Sequence, residues 1–201
     1  TGAGSVTTSA TVQATGFVSI QADDLSIGST ISAPLIVLTN TTAGKPIALG
    51  DNLVENLGLD GTELANLVAK QITVGSNSAK TPSGSIILAG DAKFSPSTSN
   101  LRLLAPEGIS TINAGGITVA NLTVEAAKAS TLSGKNNVRT LAGQFNSDLL
   151  FANVGALTLG SAGLGLTVGG AANITSTGPL TQASALNISG LVEISATGGT
   201  G

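Results

Sequence analysis

Apolar residues recur at every second position in short groups spread along the whole chain. The groups Val18–Ile20, Leu25–Ile27, Ile36–Leu38, Ile47–Leu49, Ile72–Val74, Leu101–Leu103, Ile117–Val119, Leu122–Val124 and Leu157–Leu159 each read apolar-x-apolar. Gly, Asn, Ser and Thr, the residues of turns, fill the gaps between them. Such alternation puts every second side chain on one face of a strand. A longer phrase also returns: IILAGDAKF at 86–94, LTVGGAANI at 166–174 and LNISGLVEI at 186–194. Its first two copies start 80 residues apart and its last two start 20 apart. Alternation on both sides of a glycine predicts strand, tight corner, strand.

Units this short cannot bury their own apolar faces, so they must stack on copies of themselves. Three-residue strands are too short for an open sheet but suit the flat faces of a parallel β-helix. The expected fold is all-β, with a coil of roughly 20 residues. About ten coils at about 4.8 Å each make a rod near 50 Å long. The repeat also predicts a register. Leu166 lies under Leu186, Val168 under Ile188 and Ile174 under Ile194. Asn173 against Glu193 and Thr175 against Ser195 form the matching polar ladder outside.

Three segments depart from the pattern. In DGTELANLVAK at 60–70, Asp60 and Glu63 have capping-box spacing, and Leu64, Leu67 and Val68 share a helical face. This predicts a helical excursion of about two turns near 60–68 on the side of the stack. GDAKFSPSTSN at 90–100 reads as a longer polar loop. Leu149–Ala172 carries no charge over 24 residues, the length of a membrane span. Its six glycines and its alternation predict strands and corners instead.

Composition narrows the function classes. Charged residues make up only 9% of the chain against about 25% in ordinary domains. Mean hydropathy is still positive at +0.40, so there is ample material for a core. A net charge of −3 without a basic cluster argues against nucleic acid as a partner. With no Tyr or Trp and four Phe, the chain lacks the aromatic girdles of an outer-membrane barrel. Membrane insertion is therefore not expected. The absence of cysteine excludes disulfides and thiolate metal sites and fits a long exported protein. No secretory signal is visible at 1–10, so the expectation is a mature form or a piece of something longer.

NVRTLAG at 137–143, LFAN at 150–153 and LTLG at 157–160 resemble the repeats of filamentous-haemagglutinin-like bacterial exoproteins. TELANLVAKQITVGS at 62–76 and ITVANLTVEA at 117–126 are similar in style. The resemblance runs from about Ile31 onward and extends to autotransporter passengers. It implies a right-handed parallel β-helix, exported through a barrel partner to the bacterial surface or medium and serving as an adhesin or stalk. The family's secretion domain usually carries an Asn-Pro signature, which this chain lacks. The resemblance is thus to the repetitive shaft, and the matching residues do not carry the export signature itself.

Little catalytic chemistry is available. Without His or Cys there is no Ser-His triad, thiolate nucleophile or imidazole zinc site. Asp23 and Asp24 are adjacent, which on a strand points them to opposite faces, a poor arrangement for a carboxylate pair. Asp51, Glu55, Asp60 and Glu63 form the one acidic neighbourhood. It lacks the spacing of a calcium loop and reads as a solvated loop and helix cap. A β-helical polysaccharide-active enzyme is the minor alternative. It would need clustered acids, Lys or Arg and aromatic platforms, whereas Lys93, Arg102, Lys128, Lys135 and Arg139 are scattered. Thr118, Thr123, Thr158 and Thr167 sit at outward strand positions but do not recur in the copies at 86–94 or 186–194 as an ice-binding row would.

The sequence therefore names no catalytic, cofactor-binding or metal-binding residue and no cofactor. Asn40, Asn121, Asn173 and Asn187 begin Asn-x-Ser/Thr sequons, which a chain rich in Ser and Thr also produces by chance. The expectation is one non-enzymatic module over residues 1–201, a segment of a longer surface-displayed or secreted adhesin shaft. The alternative is an extracellular fibre subunit. Both leave unpaired strand edges at their ends, and Leu191, Val192 and Ile194 have no amphipathic helix to cover them. Expected partners are neighbouring repeats or other copies stacking end to end, together with host or cell-surface glycans or proteins.

Overall fold

The computed structural model describes residues 4–53 and 56–198. Strands hold 55% of the chain and helix 3%, wound into a parallel β-solenoid of about nine turns. Every apolar-x-apolar group lies within a strand. Ile117–Val119 and Leu122–Val124 merge into the single strand Ile117–Ala126.

Each coil visits three faces in order. The first face stacks Ser5–Thr8, Asp24–Ile27, Ile47–Gly50, Ile86–Leu88, Ile109–Thr111, the start of Ser130–Phe145, Leu149–Asn153, Ala172–Ser176 and Val192–Ala196. The second is short, with Val12–Gln13, Ile31–Ser32 and Leu67–Val68 in register. Ala92–Lys93 holds the corresponding place in a later coil and pairs with Ile117 and Thr118. The third face runs from Phe17–Gln21 through Leu35–Thr39, Gln71–Gly75 and Asn100–Ala105 to the later coils. All of these pairings are parallel.

The core is the column of inward side chains, almost wholly Leu, Ile, Val and Ala, with Phe145 and Phe151 the largest fully buried ones. The predicted register holds: Leu166 pairs with Leu186, Val168 with Ile188, Ile174 with Ile194 and Thr175 with Ser195. Asn173 also donates to Glu193 at 2.8 Å, so the outer ladder forms as expected. Leu149–Ala172 is strand and corner throughout, and no described helix is long and apolar enough to cross a membrane.

The stack has about nine turns, close to the ten expected; Ile47 pairs directly with Ile86, so one coil takes about twice the ordinary length. Three expectations need correction. The phrase copy at 86–94 turns from the first face to the second, whereas 166–174 and 186–194 turn from the third face to the first. The phrase therefore specifies a corner, not a place in the coil. The helix is only Gly61–Ala65, since Leu67 and Val68 leave it to pair with Ile31 and Ser32. Within the expected loop at 90–100, Ala92–Lys93 is a strand and Phe94 is buried.

The long coil has its own device. Leu57–Asp60 pairs with Ile47–Gly50 on the side away from Ile86–Leu88 and rests against Asp24–Ile27. The strand order on this face is thus reversed for one step. The later coils are more regular: hydrogen bonds between neighbours join residues 15 to 24 positions apart. There Ser130–Phe145 bends around all three faces as one strand. Gly143 makes its last close approach possible. Its φ is 128°, and a Cβ would sit 2.0 Å from the Val124 carbonyl oxygen.

Candidate functional site

Buried polar groups are a minority in this core, and most of the described ones hydrogen-bond backbone that leaves the ladder. Asp23 is buried behind the first face, with Oδ1 accepting from the Thr41 and Thr42 backbone N–H groups at 2.8 and 2.9 Å. The Thr42 hydroxyl donates to Oδ2. Burial pushes the Asp23 carboxyl up, but the hydrogen bonds from Thr41 and Thr42 outweigh it and hold the pKa at about 2. Asp24 points the other way, into solvent near Ser5. The expected opposition of the two carboxylates is met, and Asp23 ties down a corner.

The acidic neighbourhood resolves in the same way. Asp60 caps the helix, accepting from Thr62 N and Glu63 N, while Glu63 Oε2 accepts from Asp60 N at 3.0 Å. The expected capping box is therefore present. Glu63 does more than the spacing predicts, because its Oε1 reaches the Ile27 N–H of a neighbouring coil at 2.9 Å. Asp51 is exposed, and Glu55 lies outside the described residues. Among the described residues no group of three or more acids is placed to hold a metal ion.

Two asparagines escape sequence reasoning. Asn136 is fully buried at a corner, accepting from Ile117 N at 2.9 Å and donating to the carbonyls of Leu132 and Ala152, each at 2.8 Å. Asn153 stacks on it and accepts from Val138 N at 2.9 Å. The amide has donors and an acceptor at once, so it replaces the ladder bonds that a corner breaks. The only signal available was an Asn two residues before an apolar residue in NNVRT.

The sequons separate by burial. Asn40 is wholly enclosed and receives the Ser83 hydroxyl at 2.6 Å. Asn121 donates to Asn100 at 3.0 Å and Asn173 to Glu193, both within outward ladders. Asn187 is exposed.

The cations are also sorted. Lys93 pairs with Asp91, Arg102 with Glu125, and Lys128 with Glu107. Lys135 and Arg139 are exposed and, among the described residues, carry no ion pair. Arg139 is placed in company that the sequence did not reveal. Val119 pairs with Val138, both inward, which turns Thr118, Asn137 and Arg139 outward on adjacent coils. The loop after Lys93 arches beside them, fixed by a Thr98 N–H bond to Ser95 O and a Ser99 N–H bond to Lys70 O. Between loop and strands lies an open groove of about 530 Å³, walled by Phe94, Pro96 and Thr98 and floored by Thr118, Asn137 and Arg139. Thr98 is 5% exposed, and its hydroxyl has no hydrogen-bond partner.

No protein-family model matches this chain, nor does any curated protein or solved structure.

Proposed function

We propose that this chain is a non-catalytic structural shaft, a segment of a secreted or surface-displayed bacterial adhesin. The observation that carries the reading is the parallel stack of about nine turns around one aliphatic core. Such a stack gives length, stiffness and separation between its ends without requiring a site. Expression as a rod that holds a binding region away from the cell fits the low charge and the absence of cysteine. Fusing two fluorophores at Ser5 and Ala196 and measuring their separation tests the rod. A fixed separation of roughly 40 Å, unchanged by moderate denaturant until cooperative collapse, is expected. A broad, gradually shifting distance distribution would refute a stiff shaft.

A fibre subunit is the second reading, and the exposed outer coils favour it. Leu191 is 78% exposed, Val192 49% and Phe17 66%. Continuation of the stack, by more of the same polypeptide or by another copy, covers these residues and pairs both edges. Sedimentation velocity over a hundredfold concentration range separates the two. Growth in steps of roughly 40 Å at constant cross-section favours the subunit. A monomer at every concentration leaves the shaft reading alone.

A further inference from the structure

We propose that the groove beside residues 94–99 is a binding site for the carboxylate of an acidic sugar, a hexuronic acid residue. This goes beyond the shaft reading and does not depend on it. Arg139 supplies the primary contact: its guanidinium is exposed, without an ion pair among the described residues, and lies in the floor of the groove. A planar fork of N–H donors matches a carboxylate with two parallel bonds. The alternation of the strand keeps that fork outward, because Val138 beside it is anchored in the core.

The neighbouring groups define the rest of the ligand. Thr118 and Asn137 are exposed and stacked in register on adjacent coils, and their side chains make no hydrogen bond among the described residues. Together with the Ser99 hydroxyl they offer donors and acceptors suited to ring hydroxyls. No carboxylate lines the groove, so a zwitterionic amino acid would find nothing for its ammonium group. Pro96, exposed on the loop above the buried Phe94, gives one apolar contact for a ring face. The volume of about 530 Å³ lies within the range of small-molecule sites.

The test is an NMR titration of the ¹⁵N-labelled chain with glucuronate, with glucose and acetate as separate arms. Glucuronate should produce saturable shifts confined to residues 94–99, 118–120 and 137–139. Glucose and acetate should each bind about tenfold more weakly or worse, since each keeps half of the contacts. Arg139→Gln should weaken glucuronate binding about tenfold or more at an unchanged melting temperature. Thr118→Val, outward on its strand and nearly isosteric, serves as a second variant that should stay folded and bind less tightly. Equal binding of glucose and glucuronate, saturable shifts elsewhere on the rod, no saturable shifts, or an Arg139→Gln variant that binds as the parent does would each overturn the proposal. Acetate binding as tightly as glucuronate would reduce the site to a general anion contact and overturn the sugar.

Discussion

The coils before Ala105 and those after it solve the same problem with different chemistry. From Asn121 onward neighbouring coils are nearly equal in length, long strands carry the ladder around corners, and the buried corner residues are the neutral amides Asn136 and Asn153. Before that point one coil doubles in length, one strand is stacked out of order, and a five-residue helix replaces part of a face. There carboxylates do most of the mending, Asp23 for Thr41 and Thr42 and Glu63 for Ile27 and Asp60, beside the buried amide of Asn40; in the later coils the carboxylate that accepts a backbone N–H is the exposed Asp148. A repeating coil can reuse one neutral residue in each turn, whereas a unique irregularity needs a strong local acceptor. Charge-assisted bonds are about twice as strong as neutral ones, but through Asp23 they tie the irregular region's stability to pH.

The largest effects should fall on the shared aliphatic column. Leu166→Asp and Ile36→Asp each bury an unpaired charge at a fully enclosed position and should cost more than about 4 kcal/mol. Chemical denaturation of either variant measures this. Comparable losses would show that one core serves both regions, while a much smaller loss for Ile36→Asp would split them. Ile188→Asp, half-buried in the last described turns, should cost less than Leu166→Asp.

Next come the corner residues themselves. Asn136→Ala strands one backbone donor and two acceptors in the interior and should cost about 3 kcal/mol, independent of pH. Asp23→Ala should cost about 2 kcal/mol at neutral pH and much less near pH 2. The sign follows from a folded pKa of about 2 against the ordinary 3.8. The Asp23 contribution is complete above the ordinary value and disappears as pH falls through the folded one. Stability curves between pH 6 and pH 2 distinguish the two variants. If Asn136→Ala were the pH-sensitive one, the division of labour drawn above would be reversed.

Smaller effects belong to the surface. Asp60→Ala removes the helix cap and should cost about 1 kcal/mol. Thr167→Asp lies outward between two buried neighbours and should stay within about 0.5 kcal/mol. Thermal melts of the pair suffice. A Thr167→Asp loss equal to that of Leu166→Asp would mean that the register is shifted by one residue.

How legible each region was in the sequence follows from the same difference. Alternation at 166–174 and 186–194 carried face, register and even the Asn173–Glu193 ladder, because equal coils make sequence distance equal to stacking distance. At 47–60 that equality fails. Leu57–Asp60 alternates like any other strand, and nothing local says that it pairs backwards onto Ile47–Gly50. The repeated phrase misled at 86–94 for a related reason: a glycine corner looks alike wherever the coil turns. The capping box was readable, but not the end of the helix, since Leu67 and Val68 fit a helical face equally well and pair with Ile31 and Ser32 only through the tertiary fold. Arg139, Asn137, Thr118 and Thr98 looked scattered because three separate coils bring them to one groove.

Amide-resolved hydrogen exchange most directly tests the claim of one cooperative stack whose regular coils are its stable part. The account predicts that amides of 121–126, 140–145 and 149–153 exchange last and at a common rate, set by global unfolding. Those of 5–8 and 192–196 should exchange first, and Thr41 and Thr42 should lose protection selectively below about pH 3. Protection concentrated at 24–39 with early exchange at 121–145, or independent rates from coil to coil across the regular region, would contradict it.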